Sequence, residues 1–388
     1  MKSIFFYGSL RDPDLLSLVL ARPVAPGTLR PAVAADHATL RHAEEDYPVL
    51  LPRLGACADG VLFDGLNPGD LDRLQYFEEA EYSLGPIQVQ NDGGVTATQC
   101  FRPTEKPAVS EAPWDFDHWY ANDRDIAHEA AGELMDHFGH LPVERIDDIW
   151  SGIMARARQR VRARAAPPVD GSLGSGFGTE DVDLTRVSRR AQALFSVEEN
   201  HIRHRRFDGG WTEPLRRFTF LWGDAVTVLP FDARSRRVLL IEQFRPAPAA
   251  RGDRNPWLIE VIAGRIDGQD TAEETARREA LEEAGVTLGR LERIAAHYPS
   301  PGVVAEQVTS FVGEADLSDC GGVHGLPGEG EDIRAFALPF DAALAAAARG
   351  AITNGPALLS LYWLAGQIDR IEADWSAGDP LVGLGQST

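Results

Sequence analysis

The stretch Gly264–Val286 has the sequence GRIDGQDTAEETARREALEEAGV and determines the fold expected for the C-terminal half. Within it, Thr271 and Glu274 have the spacing of a capping box, which predicts a helix starting at Thr271 and ending near residue 284. Three carboxylates in the last turns stand at i, i+3 and i+4, so they share one face of that helix. They are Glu279, Glu282 and Glu283.

Like charges on one helix face repel each other, so this carboxylate cluster needs a physical reason. A hard divalent cation supplies one, because Mg²⁺ takes carboxylate oxygens and bridges to substrate phosphates. The pattern therefore indicates a site where a metal ion meets a pyrophosphate. The alternative that the spacing alone leaves open is a solvated acidic helix face.

The whole stretch resembles the Nudix box, in which a glycine, an acid and an Arg-Glu-apolar-X-Glu-Glu-X-Gly-apolar run follow at fixed intervals. Gly264 opens the box at the right distance, and Asp270 stands where the family usually has Glu. In the family that acid braces the loop and helix more than it binds metal. The matching residues of the helix and its end are Arg278, Glu279, Ala280, Glu282, Glu283, Gly285 and Val286.

Further motifs, over roughly residues 190 to 370, resemble the ADP-ribose pyrophosphatase branch of the Nudix family. They are Leu240–Arg245, Pro256–Glu260, Ala263-Gly264, Tyr298–Gly302 and Glu329–Arg334. The resemblance implies Mg²⁺-dependent (possible also with Mn²⁺) hydrolysis of ADP-ribose to AMP and ribose 5-phosphate. It also implies a homodimer, in which a segment near 196–221 packs against or swaps with the partner.

The same resemblance implies roles for individual residues. The metal ligands would be the carboxylates of Glu279, Glu283 and Glu331 with the carbonyl of Ala263. Glu329 would be the general base, with Glu282 and Glu331 as alternatives, and the substrate would be bound by Arg245 and Glu260. Arg245 suits a phosphate because its planar guanidinium forms paired hydrogen bonds, although a strand-end arginine can also be a plain ion-pair partner.

The N-terminal motif Tyr7-Gly8-Ser9-Leu10 ends a predicted strand in a turn whose free backbone N–H groups can bind an anion. With Tyr47-Pro48, Gly60–Phe63 and the run Leu74–Glu78, it resembles the γ-glutamylcyclotransferase-like (AIG2-like) family, over residues 1–103. The resemblance implies that the turn residues Tyr7, Gly8, Ser9 and Leu10 bind substrate and that Glu78 is the catalytic acid and base. Glu79 stands where many relatives have glycine, which puts the orientation of the Glu78 carboxylate in question. The alternative is that the N-terminal unit is a structural or binding module.

We therefore predict an α+β chain with two folded halves, which include a strand at Gly60–Phe63, a helix over residues 119–138 and a hairpin around the turn Asp232–Arg236. Residues 1–103 form a γ-glutamylcyclotransferase-like β-barrel, 104–178 a helical connector ending in a Pro/Gly-rich linker, and 179–388 a Nudix α/β/α sandwich with an N-terminal dimerisation segment. The domain combination is similar to proteins associated with bacterial tellurite resistance, although no residue explains tellurite chemistry.

The formal net charge of −21 argues against a nucleic-acid or anionic-membrane partner, since either would repel the protein. No apolar run approaches membrane-spanning length, and the three cysteines are isolated, so we expect a cytoplasmic protein. Two other functions stay open beside ADP-ribose hydrolysis. One is hydrolysis of another nucleoside diphosphate sugar such as GDP-mannose, and the other is non-hydrolytic sensing of ADP-ribose.

Two further predictions concern side chains outside these motifs. His118, His128 and His137 are spaced so that they scatter over a helix surface, which excludes a three-histidine metal site there. Trp257 and Tyr298 are candidates for stacking on adenine, with core packing as the equal alternative.

Overall fold

The computed structural model describes residues 3–25, 27–43, 47–105, 107–167, 173–192, 195–268, 270–326, 328 and 330–376. These residues form two compact units, the first ending at Gly176 and the second starting at Phe177. The boundary lies inside the predicted Pro/Gly-rich linker. Each unit has a hydrophobic core of its own.

The first unit is built around a closed five-stranded barrel with the strand order β3-β1-β5-β4-β2, closed by pairing of β2 with β3. Most neighbours are antiparallel, and β1 runs parallel to β5. A short strand, β6, extends the sheet beside β2. The strands are β1 (Ile4–Phe6), β2 (Leu29–His42), β3 (Pro48–Phe63), β4 (Tyr82–Asn91), β5 (Gly94–Pro103) and β6 (Val109–Pro113).

Five helices belong to this unit: α1 (Pro13–Leu20), α2 (Asp70–Phe77), α3 (Phe116–Asn122), α4 (Arg124–Met135) and α5 (Asp147–Ala165). Trp119, Leu134 and Ile153 from the last three pack in one core with Phe6 and Phe63 of the barrel. The helices expected as a connector are therefore part of the first unit's own core. The predicted helix across residues 119–138 is interrupted at residue 123, where α3 ends and α4 begins.

The second unit contains a three-stranded sheet and a larger eight-stranded sheet. The small sheet consists of β7 (Val182–Gln192), β8 (Ser196–His204) and β9 (Leu215–Leu221). The large sheet has the order β14-β15-β10-β11-β17-β16, with β12 paired to β11 and β13 to β10. Its strands are β10 (Ala225–Asp232), β11 (Arg237–Phe244), β12 (Trp257–Glu260), β13 (Ile262–Arg265), β14 (Leu291–His297), β15 (Val308–Glu314), β16 (Gly321–His324) and β17 (Ile333–Pro339).

Helices cover both faces of the large sheet, which gives the predicted α/β/α sandwich. α7 (Ala272–Ala284) covers one face, and α8 (Phe340–Ala348) and α9 (Gly355–Ser376) cover the other. The short helix α6 (Pro246–Arg251) has no buried residue. Successive side chains of β10 point to opposite faces of the large sheet. Val228 packs in the core with α7, and Leu229 packs in the core with α8 and α9. The predicted hairpin is confirmed, with Phe231 opposite Val238. Within the described ranges, no helix is long and apolar enough to span a membrane.

Candidate active sites

The box helix α7 starts where the sequence predicts. Thr271 Oγ1 accepts a hydrogen bond from the Glu274 N–H at 3.2 Å, and the Glu274 carboxylate accepts one from the Thr271 N–H at 2.8 Å. The helix ends at Gly285, whose φ of 64° lies in the left-handed region that favours glycine. These two ends fix the rotation of the helix and hence the direction of its glutamates.

Gly264, at the start of the box, lies directly against Glu279. A Cβ atom at Gly264 would come within 2.0 Å of the Glu279 carboxyl carbon, so no larger residue fits without moving that carboxylate. This close approach brings β13 against the helix face that carries the metal-ligand candidates. The fixed glycine of the motif thus has a packing cause.

Arg278 lies among the acidic residues of the box. Its Nη1 is 2.9 Å from both the Glu279 and the Glu282 carboxylates, and its Nε is 3.5 Å from Asp270 Oδ2. The shorter Asp270 therefore still reaches Arg278 from the loop before the helix. The arginine offsets part of the repulsion among carboxylates on this face.

Glu283 is almost completely buried, and its Oε2 accepts a hydrogen bond from the Ala263 N–H at 3.1 Å. Burial raises the pKa of Glu283 to about 8, and repulsion from Glu279 and Glu331 acts in the same direction. Burial likewise raises the pKa of Glu279 to about 7, with repulsion from Glu282 and Glu331 added. Burial, with the added repulsion among these carboxylates, therefore disfavours their ionised forms.

The donor set here suits a hard divalent cation, because a cation would relieve the mutual repulsion of Glu279, Glu283 and Glu331. In the side-chain positions described, no three His, Cys, Asp or Glu residues are arranged as a ready-made metal site. Glu279 and Glu282 point to Arg278, and Glu331 Oε2 accepts from the Leu326 N–H at 3.1 Å. The predicted base Glu329 lies outside the described residues.

Arg245 lies at the end of β11 and pairs with Glu260, the last residue of β12. Its Nε and Nη2 are 2.9 and 2.7 Å from the same oxygen, Glu260 Oε2. Glu260 is only 3% exposed, and Gln243 and Asn354 donate to its carboxylate as well. Glu260, predicted as a substrate-binding residue, thus accepts hydrogen bonds from protein donors on both carboxylate oxygens and holds Arg245.

The two aromatic residues considered for adenine stacking lie on the surface. Trp257 is 57% exposed and Tyr298 is 54% exposed, so the core-packing alternative is wrong for both. Trp257 contacts Phe244 edge to face, with ring centroids 5.3 Å apart, beside Arg245. An exposed aromatic next to a cation suits a nucleotide, though it also suits any aromatic partner.

The N-terminal motif forms the predicted turn. After β1, Ser9–Arg11 form one turn of 3₁₀ helix, and the Arg11 N–H donates to the Gly8 carbonyl at 3.1 Å. A Cβ atom at Gly8 would come within 2.5 Å of Pro48, which explains the glycine. The Leu10 side chain is buried in the core, so of the four predicted binding residues Leu10 can offer only its backbone.

Glu78 caps the end of α2 and is half-buried. Burial raises the pKa of Glu78 to about 8, with repulsion from Glu79 added. The Glu78 charge also acts on the phenols of Tyr7 and Tyr82 and raises the pKa of each, after the larger effect of burial. The predicted catalytic carboxylate and Tyr7 thus lie close enough for the charge of Glu78 to act on the phenol.

The turn after Glu78 has the conformation that glycine would favour. Glu79 has a φ of 62°, in the left-handed region. The Gln75 side-chain amide donates to the carbonyls of Glu79 at 3.1 Å and Tyr82 at 2.7 Å. Glu79 therefore adopts the backbone conformation that glycine would favour, and Gln75 bonds to two carbonyls of this turn.

Comparison with known proteins agrees with this geometry. The family model described as "NUDIX domain" matches residues 221–357. An ADP-ribose pyrophosphatase of Escherichia coli (strain K12) is 36% identical over 200 residues, which cover 52% of this chain and 95% of that protein. The chain belongs to the Nudix family. An ADP-ribose pyrophosphatase of Haemophilus influenzae is 30% identical over 201 residues, covering 51% of this chain and 93% of that protein.

Two more similarities extend the comparison. A GDP-mannose pyrophosphatase of Salmonella arizonae is 37% identical over 142 residues, covering 37% of this chain and 73% of that protein. The model described as "Gamma-glutamyl cyclotransferase, AIG2-like" matches residues 4–119. The matched region includes the barrel, β6 and the first residues of α3, so it extends beyond the predicted boundary at residue 103.

Within the Nudix domain, two residues at the site escaped the sequence analysis. Gln243 and Asn354 both donate to Glu260, and Asn354 comes from the start of α9, far along the chain. Gln243 belongs to the motif Leu240–Arg245 and lies two residues before Arg245, a predicted substrate-binding residue. Asn354 directly precedes Gly355-Pro356 at a helix start, which marks an N-cap and gives no sign of a contact to the site.

Proposed function

We propose that the Nudix domain hydrolyses the pyrophosphate bond of ADP-ribose in a Mg²⁺-dependent reaction and releases AMP and ribose 5-phosphate. The observation that carries the proposal is the packing of the box helix against β13, where Gly264 lies directly against Glu279 and the Ala263 N–H donates to the buried carboxylate of Glu283. The ADP-ribose pyrophosphatases matched over nearly their full length support the substrate class, a nucleoside diphosphate sugar.

In this proposal Glu279, Glu283, Glu331 and the Ala263 carbonyl would hold the cation. A bound divalent cation lowers the pKa of water and neutralises charge that develops on the phosphates. Arg245 binds a phosphate oxygen, since its Nε and Nη2 donate to one oxygen of Glu260 and its Nη1 has no partner among the described side chains. Arg278 keeps the box carboxylates from repelling each other before the cation arrives.

The general base in the proposal is Glu329, on the strength of the family resemblance. Glu282 is less suited, because its carboxylate already accepts from Arg278 at 2.9 Å. Glu331 is needed as a ligand candidate and is held by Leu326. The retained box carboxylates also favour hydrolysis over sensing, since a protein that only binds the nucleotide has no need for them.

The substrate preference is the finer part of the proposal, and GDP-mannose is the second candidate. Its support is the 37% identity to a GDP-mannose pyrophosphatase, which covers a shorter part of this chain than the match to ADP-ribose pyrophosphatases. Measuring kcat/KM for both substrates under identical Mg²⁺ conditions decides between them. We expect ADP-ribose to have the higher value, and a higher value for GDP-mannose would reassign the substrate.

A homodimer and a cytoplasmic location complete the proposal for this domain. The small sheet that contains the predicted dimerisation segment exposes apolar side chains, including Phe195 (37% exposed) and Phe218 (44% exposed). The three cysteines are free, which suits a reducing compartment. Light scattering of the purified protein would test the dimer, with the mass of a single chain as the contradicting result.

For the N-terminal unit we propose γ-glutamyl cyclotransfer with Glu78 as acid and base. Its support is the half-buried position of Glu78, because a pKa of about 8 suits a group that takes and returns a proton near neutral pH. A single carboxylate suffices when the substrate's own amine attacks its γ-carbonyl. Release of 5-oxoproline from γ-glutamyl amines, lost in Glu78→Gln, is the test, and absence of release from the native protein would favour a binding module.

A further inference from the structure

We propose that Asn354 is a positioning residue of the Nudix site, which orients Glu260 and through it the phosphate-binding guanidinium of Arg245. The inference rests on the proposed role of Arg245 in binding the substrate's diphosphate. Asn354 itself does not touch the box carboxylates in any contact described. It is the residue immediately before α9, on the sheet face opposite α7.

The two polar ends of the Asn354 amide have separate partners. Its Oδ1 accepts from the Ala357 N–H at 2.9 Å and so caps α9, while its Nδ2 donates to Glu260 Oε1 at 3.0 Å. The cap fixes the amide in place, which leaves the Nδ2 aimed at Glu260. One side chain thus ties the start of a packed helix to the end of β12.

Because of this contact, the two carboxylate oxygens of Glu260 have different hydrogen-bond partners. Asn354 takes Oε1, so both Arg245 donors and the Gln243 amide meet on Oε2. An arginine facing a carboxylate would otherwise form the stronger fork with one N–H to each oxygen. By donating to Oε1, Asn354 keeps both Arg245 donors on Oε2, which leaves Arg245 Nη1 available to a phosphate.

Burial makes this arrangement sensitive to Asn354. Glu260 is 3% exposed, so water cannot replace a lost donor at Oε1. Without the amide the carboxylate would turn to share both oxygens with Arg245, and the guanidinium would close on Glu260. The positive charge of Arg245, which acts on Glu283, would then move away from the reaction centre.

Two variants separate positioning from helix capping. Asn354→Asp has the same shape and keeps a good N-cap, but it places an oxygen where the donor to Glu260 was. Asn354→Ser also keeps a good N-cap and is too short to reach Glu260. Both keep the N-cap and should remain folded, with a melting temperature lowered by the lost donor to Glu260 alone, as measured by calorimetry.

The expected kinetic result is a rise in KM for ADP-ribose of about tenfold in Asn354→Asp, with a smaller change in kcat, because losing a contact made equally to the substrate and the transition state raises KM. Asn354→Ser should change KM in the same direction. In an Arg245→Ala background the Asn354→Asp substitution should change KM no further, since its effect runs through Arg245. A native KM in Asn354→Asp, or an equal rise in the Arg245→Ala background, would overturn the proposal.

The same variants test the inference if ADP-ribose is not the substrate. The melting temperatures of the native protein, Asn354→Asp, Arg245→Ala and the double variant form a cycle without ligand. We expect non-additive shifts, because both residues act on the Glu260 carboxylate. Additive shifts would refute the relay, whereas absent turnover with non-additive shifts would refute only the substrate assignment.

Discussion

Replacing Gly264 with alanine should disable the Nudix site without unfolding the domain. The added Cβ would lie 2.0 Å from the Glu279 carboxyl carbon and oxygen, whereas ordinary contacts begin at 3.4 Å. Glu279 must therefore retreat by about 1.4 Å, and a misplacement of about 1 Å at a reacting centre can cost about a hundredfold in rate. We expect kcat/KM for ADP-ribose to fall about a hundredfold.

The backbone should tolerate this change, because the clashing atoms are the far end of a side chain and the φ of Gly264 is not positive. The matched control is Gly366→Ala in α9, where an added Cβ meets no atom within 4 Å. That variant should keep native kinetics and gain up to about 1 kcal/mol of stability from better helix propensity.

The assay is steady-state release of AMP at saturating Mg²⁺, with a thermal melt of each variant. A Gly264→Ala protein that melts like the native one and retains native kcat/KM would refute the argument. It would mean either that Glu279 has no part in catalysis or that its position is not set by Gly264.

Three other predictions concern stability and can be read from calorimetric melts. Glu79→Gly should stabilise the first unit by about 1 kcal/mol, because glycine adopts the left-handed conformation without strain; a lower melting temperature would contradict it. Glu78→Gln should match the native protein in stability near pH 5 and become progressively more stable than the native protein up to about pH 8. The raised folded-state pKa means that native Glu78 stabilises the fold at low pH and loses that contribution as it ionises. A pH-independent difference in stability between the two proteins would contradict the prediction. Thr271→Ala should destabilise the second unit by about 1 kcal/mol through loss of the capping box, and Thr271→Ser should restore most of it.

Local sequence patterns predicted much of the fold. The capping box placed α7 to within one residue, and alternation around the turn after Asp232 located the hairpin. Short elements were missed, such as α1 (Pro13–Leu20), whose eight residues give too little periodicity to stand out. The length of β3 was underestimated, since Pro52 and Gly55 interrupt a strand that continues through residues 48–63.

For the candidate sites too, contacts between residues close in sequence were predictable, and contacts between distant residues were not. Residues that lie close in sequence, such as Glu279 and Glu283, share a helix face by periodicity alone, so their proximity was predictable. The neighbours of Arg245 were not, because Glu260 and Asn354 reach it from a separate strand and from the start of a distant helix. Burial also decides roles that residue type cannot, as for Leu10 and Glu260.

The most direct test of the central proposal is AMP release from ADP-ribose by the purified protein with Mg²⁺, alongside Glu283→Gln. An isosteric control is Glu273→Gln, which alters an exposed carboxylate in the first turn of the same helix. The account predicts equal amounts of AMP and ribose 5-phosphate, loss of turnover in EDTA, a fall of more than about a hundredfold in Glu283→Gln, and native turnover in Glu273→Gln. No AMP from the native protein with Mg²⁺, or undiminished turnover in Glu283→Gln, would contradict it.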